Sequence, residues 1–232
     1  MTQSPAEKIW RRHFQQGKFA ELDQIVSVID HIYNNVEIDM AERFHNFFFY
    51  EACPLVAIAE KLNGSIDGIA FTGQKERYDG LFLIDGKSQK IECVAAIDGQ
   101  NEALIMEHLQ FYGRAPANLK IHATGTKNNR KMDKHSAVAR DREEYLENDL
   151  RPLMEQALRS KIQKSQTNPD YCKAWLSIVF DDWVVPTAEK KKQTFDPLCE
   201  DVLKLDPTGY EPFERIFFVG MSRQYIFDSF DI

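Results

Sequence analysis

The dipeptide Asp85-Gly86 constrains this chain more than any other pair of residues. Apolar runs stand on both sides of it, Gly80-Leu81-Phe82-Leu83-Ile84 before and Ile91 to Ile97 after. An Asp-Gly pair in that position supplies the positive φ angles of a tight hairpin turn. The spacing predicts strands over 77–84 and 89–96. Side chains alternate across a strand, so Lys90, Glu92 and Val94 share one face while Ile91, Cys93 and Ala95 share the other. Asp79 lies six residues before Asp85, and Glu92 six after Gly86. A two-residue turn therefore sets the two carboxylates opposite each other, with Cβ atoms roughly 4.5–5.5 Å apart.

The flanking segments give the fold class. Another strand is expected over 66–72. A helix is expected over 39–62, where Phe44, Phe48, Ala52, Leu55, Ile58 and Leu62 recur at intervals of three and four. Pro54 predicts a kink or break within it, and Asn63-Gly64 a C-terminal cap. Residues 4–34 read as helical, as one helix or as two broken near Gly17. A helix over 100–112, a polar strand or arm over 119–124, an exposed loop over 124–135 and a long helix over 138–163 follow. A buried strand over 174–180, a polar, helix-compatible stretch over 187–204 and strands over 213–221 and 223–229 complete the chain. Strands alternating with covering helices predict an α/β fold with a mixed central sheet flanked by helices. The expected division is an N-terminal helical extension, 1–38, and a single α/β domain, 39–232.

The formal net charge is −7, which argues against a chain that binds nucleic acid or anionic membrane through its overall charge. A local basic groove remains compatible with it. Cys53, Cys93, Cys172 and Cys199 show no metal or redox spacing and read as reduced, mostly buried thiols. The N-terminus lacks the apolar core of a signal peptide, and no apolar run is long enough to span a bilayer. The expectation is a cytoplasmic protein with no membrane partner. Phosphate-loop, dinucleotide, zinc-protease and nucleophile-elbow motifs are all missing, and the histidines lack metal-ligand spacing.

Two carboxylates side by side suit a hard divalent cation, Mg²⁺ or Mn²⁺. Glu92 also sits in an otherwise apolar run, where a lone carboxylate is costly. Its charge calls for a cationic side chain, a metal or a proton. Here the segment resembles the PD-(D/E)XK, restriction-endonuclease-like nuclease superfamily, whose core runs helix, three strands, helix, strand. The resemblance spans roughly residues 40–181. It matches Asp79 in Tyr78-Asp79-Gly80 and Glu92 in Ile91-Glu92-Cys93-Val94. The lysine of the superfamily's Glu-x-Lys is replaced by Val94.

The resemblance implies a metal-dependent nuclease acting on DNA or RNA. Asp79 and Glu92 would be metal ligands, with Glu51, or else Glu60, as a helical third carboxylate. A lysine beside the metal orients the attacking water and stabilises charge on the phosphorane. Valine does neither, so His108 or Lys90, or Gln110 as a water-positioning group, would stand in. Lys127, Arg130, Lys131 and Lys134 in the basic loop are candidate nucleic-acid contacts, against the plainer reading of a solvated loop. Arg11-Arg12-His13 and Lys190-Lys191-Lys192 read as solvated, and Asp181-Asp182 as a turn or a strand-end site. The rival expectation is a catalytically inactive nuclease-like fold that serves as an interaction or scaffold protein, with a homodimer among its forms. The Phe-rich helix at 44–49 would then supply an interface.

Overall fold

The hairpin forms where the turn chemistry places it. Asp85 and Gly86 take φ angles of 48° and 71°, as a two-residue type I′ turn requires. The computed structural model describes residues 4–36, 43–62, 64–72, 78–112, 119–122, 124–126, 129–131, 137–168, 171–205 and 213–231. In chain order they form α1 (Pro5–His13), β1 (Ala20–Glu21), α2 (Leu22–Asn35), α3 (Arg43–Phe47), α4 (Cys53–Lys61), β2 (Gly68–Phe71), β3 (Gly80–Ile84), β4 (Lys87–Ala96) and α5 (Gly99–Tyr112). Then come β5 (Leu119–Ile121), β6 (Thr124–Thr126), β7 (Asn129–Lys131), β8 (Ala137–Ala139), α6 (Arg142–Tyr145) and α7 (Arg151–Gln166). The last elements are β9 (Trp175–Phe180), α8 (Ala188–Lys204), β10 (Arg215–Gly220) and β11 (Ile226–Asp228).

The structure is mixed α/β. Among the described residues, seven strands form one sheet in the order β1-β2-β3-β4-β9-β10-β11. Neighbours from β1 to β4 are antiparallel, β4, β9 and β10 are parallel, and β11 returns antiparallel to β10. Alternation along the central strands divides the core into two layers. Ile91, Cys93, Trp175, Phe217 and Val219 face α1, α2 and α4. Ala96, Leu176, Ile178, Phe180, Ile216 and Phe218 face α7 and α8. The N-terminal residues belong to this architecture: Trp10, Phe14, Ile25 and Ile29 are buried in the first layer, and β1 pairs with β2.

The expected break at Pro54 takes a particular form. α3 and α4 are joined by a π-helical turn, Phe48–Ala52, with Pro54 in the first turn of α4. Proline lacks the N–H that would close the preceding α-helical turn, and a wider turn accommodates that loss. The same arrangement recurs at the π turn Leu146–Leu150 before Pro152.

The N-terminal stretch takes the second of its two expected forms, two helices broken around Gly17, which has positive φ, with the short β1 before the second helix. Two expectations need correction. Residues 124–135 are not all loop, because β6 and β7 pair antiparallel with Thr124 opposite Lys131. Backbone pairing needs no apolar alternation, so a polar ribbon gave no periodic signal. The long helix begins at Arg142 rather than at 138: β8 pairs with β5, and Asp141 caps the helix by accepting from the Glu143 and Glu144 N–H groups. Among the described residues, no helix is long and apolar enough to cross a membrane. Cys53, Cys93 and Cys199 are buried free thiols, and Cys172 is an exposed one.

Candidate functional site

The site arises because β4 outlasts its neighbour. β4 pairs with β3 only through Lys87–Ile91, and with β9 through Ile91–Ala96. Beyond Ile91 the ladder to β3 stops, and a cleft of about 450 Å³ opens there. Asn46 lines it from α3, Tyr50 and Glu51 from the first π turn, Cys93, Val94 and Ala95 from β4, and Glu102 from α5. Asp79, Glu92 and Lys161 complete the polar lining.

Asp79 stands one residue before β3 begins. The last ladder pair is Gly80 opposite Ile91, so one step further sets Asp79 beside Glu92. The Asp79 N–H donates to the Ile91 carbonyl at 3.1 Å. Its carboxylate Oδ2 accepts from the Cys93 N–H at 2.7 Å, taking a donor that the ended ladder no longer uses. Gly80 allows the close approach of α4 here: a Cβ at that position would lie 2.6 Å from Leu55 Cδ1.

Glu92 is 5 % exposed and faces the α7 layer. Of the three partners its position called for, the structure supplies a cationic side chain. The Lys161 ammonium from α7 donates to Glu92 Oε1. The Tyr171 hydroxyl, from the turn before β9, donates to the same oxygen at 3.1 Å. Burial raises the Asp79 pKa above its ordinary value, opposed by the Cys93 N–H and by Lys161. Burial and then the Asp79 charge raise Glu92, opposed by Lys161 and Tyr171. Two close carboxylates held by one lysine favour taking up a further cation or proton.

Those shifts carry a stability consequence. Because the folded pKa of Glu92 lies above its ordinary 4.5, the folded chain holds more proton than the unfolded chain between the two values. Stability then falls as pH rises through that window, and the penalty is complete above it. Glu92→Gln keeps an oxygen for Lys161 and Tyr171 and removes the charge. It should stabilise the metal-free protein at pH 7 by about 1 kcal/mol, a gain that closes toward pH 4. Urea unfolding of both proteins across this range reads the difference, and a variant less stable at pH 7 would contradict the argument.

The other expected residues are placed as follows. Glu51 lines the cleft. Glu60 does not, and accepts from Arg223 Nη2 at 3.0 Å. Lys90 and His108 do not line it either: the Lys90 ammonium lies 5.3 Å from the Tyr78 ring centre, and His108 is buried on α5. Gln110 is on α5 and Arg130 on β7, beside an exposed Lys131. Lys127 and Lys134 lie outside the described residues.

Lys190-Lys191-Lys192 is corrected at its middle residue. Lys191 is 1 % exposed and pairs with the fully buried Asp182 at 2.7 Å. The helix repeat turns Lys191 inward along with Phe195 and Leu198, and Asp182 matches its charge. The second acid of Asp181-Asp182 is therefore committed to a buried pair. Asp181 lies at the end of β9, where its Oδ1 accepts from the Trp183 N–H at 3.0 Å and burial raises its pKa.

Sequence reasoning missed Lys161, Tyr171, Tyr50 and Glu102. Tyr50 donates to Glu102 Oε1 at 2.8 Å between the π turn and α5. One signal for Lys161 exists: Met154, Leu158, Lys161 and Ser165 fall at helical spacing, placing a lysine on the buried stripe of α7. Tyr171 has no such signal.

A small hard cation suits these oxygen donors and the room for water around them. Among the described residues, no group of three or more His, Cys, Asp or Glu side chains is arranged to hold a metal. A cation would therefore rest on Asp79 and Glu92 and fill its shell with water or substrate oxygen, as Mg²⁺ commonly does. Comparison of the chain with protein-family models, with curated proteins and with solved structures finds no match.

Proposed function

We propose that this chain is a diverged PD-(D/E)XK nuclease that hydrolyses nucleic-acid phosphodiester bonds with Mg²⁺ or Mn²⁺. The observation that carries the reading is the Lys161 ammonium beside Glu92 and Asp79, in a cleft where Val94 offers no charge. The order of α4, β2, β3, β4, α5 and β9 supports it, with β5 to α7 as an insertion before the last strand.

Each residue has a role in this reading. Asp79 and Glu92 would hold the cation, and Glu51 lines the same cleft from the π turn. When bound, Mg²⁺ or Mn²⁺ would supply water activation and charge screening at the phosphate. Lys161 stabilises negative charge as it builds on the phosphorane, in place of the lost strand lysine. Lys164 is exposed one turn further along α7, close enough to lower the Asp79 pKa, and draws the nucleic-acid backbone toward the cleft. Arg130 and Lys131 on the β6–β7 ribbon are further candidate contacts.

One observation favours a second reading, a catalytically inactive fold that serves as an interaction protein. Among the lining residues, Glu51, Asp79, Glu92 and Glu102 face one lysine. Such a cleft repels phosphate until a cation enters. Calorimetric titration with Mn²⁺, alone and with a short oligonucleotide, separates the readings. Wild type should bind, and Asp79→Ala and Glu92→Ala should each abolish binding. Binding that survives Glu92→Ala would show the site to be wrongly assigned. No binding by folded wild type under either condition would favour the interaction protein.

A further inference from the structure

We propose that Tyr171 is the positioning residue of Glu92, holding this carboxylate aimed into the cleft while Lys161 gives way to a divalent cation. The inference rests on the metal-site reading above and specifies how that site is loaded. It starts from the convergence of two donors on one oxygen. Lys161 and Tyr171 both donate to Glu92 Oε1, so Oε2 is committed to neither. Asp79 is held in a similar way, through Oδ2 by the Cys93 N–H. Each carboxylate thus has one oxygen anchored by the fold, and the two side chains lie within hydrogen-bonding reach of each other, where a cation would come between them.

The two donors on Oε1 differ in kind. Tyr171 is neutral, 2 % exposed and packed edge-on against Phe213, on a turn that leads directly into β9. It has little freedom to leave. Lys161 ends a flexible stem, its side chain is 13 % exposed, and it lines the open cleft. It carries the positive charge that the Asp79–Glu92 pair needs while no other cation is present. A divalent cation brings more charge to the same two carboxylates and relieves that need. Lys161 then turns toward the cleft, where the proposed reaction requires it, and Tyr171 keeps Glu92 from following. A partner that fixes a ligand's orientation in this way commonly contributes about 10–100-fold to metal affinity.

The test is Mn²⁺ titration of wild type, Tyr171→Phe, Lys161→Met and Lys161→Gln, each checked for folding by thermal melting. Tyr171→Phe should bind roughly tenfold more weakly while remaining folded. Both Lys161 variants should bind about fivefold more tightly, because the competing cation is gone. A second readout needs no variant. Acylation of Lys161 by an amine-reactive ester, followed by mass spectrometry, should rise on saturation with Mg²⁺, while that of exposed Lys192 stays constant. A merely structural lysine would show no such change. If wild type binds but Tyr171→Phe binds equally well, the positioning role is overturned. If the Lys161 variants bind no more tightly and acylation is insensitive to Mg²⁺, the exchange is overturned. If neither wild type nor the Lys161 variants bind, the metal-site reading itself fails, and this inference with it.

Discussion

Lys191→Met should cost the fold about 3–5 kcal/mol, the usual effect of stranding one member of a buried ion pair. Asp182 is fully buried at the end of β9 and accepts from the Lys191 ammonium at 2.7 Å. It also accepts from the Ser222 N–H at 2.8 Å and from the Ser222 hydroxyl, while Lys191 donates to Ser222 Oγ at 2.6 Å. The network ties the end of β9 and the start of α8 to the turn between β10 and β11. Gly220 belongs to it by necessity, since a Cβ there would land on the Asp182 carboxylate. Methionine fills the space of the lysine stem but leaves Asp182 charged in an apolar setting with neutral donors alone. Urea unfolding at pH 7 should show a lower midpoint with an unchanged slope. Adding Asp182→Asn should recover part of the loss by removing the stranded charge. Lys192, 78 % exposed and paired with Asp196, is the control: its replacement by alanine should change stability by less than about 0.5 kcal/mol. A Lys191→Met loss as small as that would show that Asp182 leaves its site or becomes protonated.

The contrast between those neighbouring lysines shows where sequence reading worked and where it stopped. Asp85-Gly86 and the period of two set the β3–β4 register, so the pairing of Asp79 with Glu92 is legible in the sequence alone. Turn chemistry and alternation act over a few residues, and no distant contact was needed to read them. Lys191 was misread because its charge was taken alone, without the helical stripe it shares with Phe195 and Leu198 or the partner nine residues earlier. The partners of Glu92 lay further out of reach, 69 residues away at Lys161 and 79 at Tyr171. The apolar run around Glu92 announced that something must compensate its charge. Only the packing of α7 and the turn before β9 against β4 decided what. The cleft was hidden for a related reason, because it depends on β3 starting only at Gly80, opposite Ile91, while β4 runs on to Ala96, and strand ends are weakly encoded.

Under the nuclease reading proposed above, Lys161→Met should lower nucleic-acid cleavage by about 10²–10⁴-fold, the range spanned by losing a positioned proton-transfer or charge-stabilising group. The variant separates two properties that usually fall together. Its Mn²⁺ affinity should rise, because the Asp79–Glu92 pair loses its resident counter-cation, while turnover falls, because nothing replaces the ammonium at the phosphate. A folding defect would lower both. Cleavage of labelled single- and double-stranded DNA and RNA in saturating Mn²⁺ reads the loss. The decisive companion is Val94→Lys in the Lys161→Met background. Val94 follows Glu92 by two residues, so it shares that face of β4, and it lines the cleft. A lysine restored there should recover activity by roughly tenfold or more if the function moved from strand to helix. Recovery would make Val94 the trace of a relocated group rather than of a lost one. Wild-type activity on one of these substrates that is unchanged by Lys161→Met would remove Lys161 from the reaction. Absence of cleavage by wild type on every substrate, together with absence of Mn²⁺ binding, would leave the acidic cleft to an interaction protein. Its charge would then be read as selecting a cationic partner.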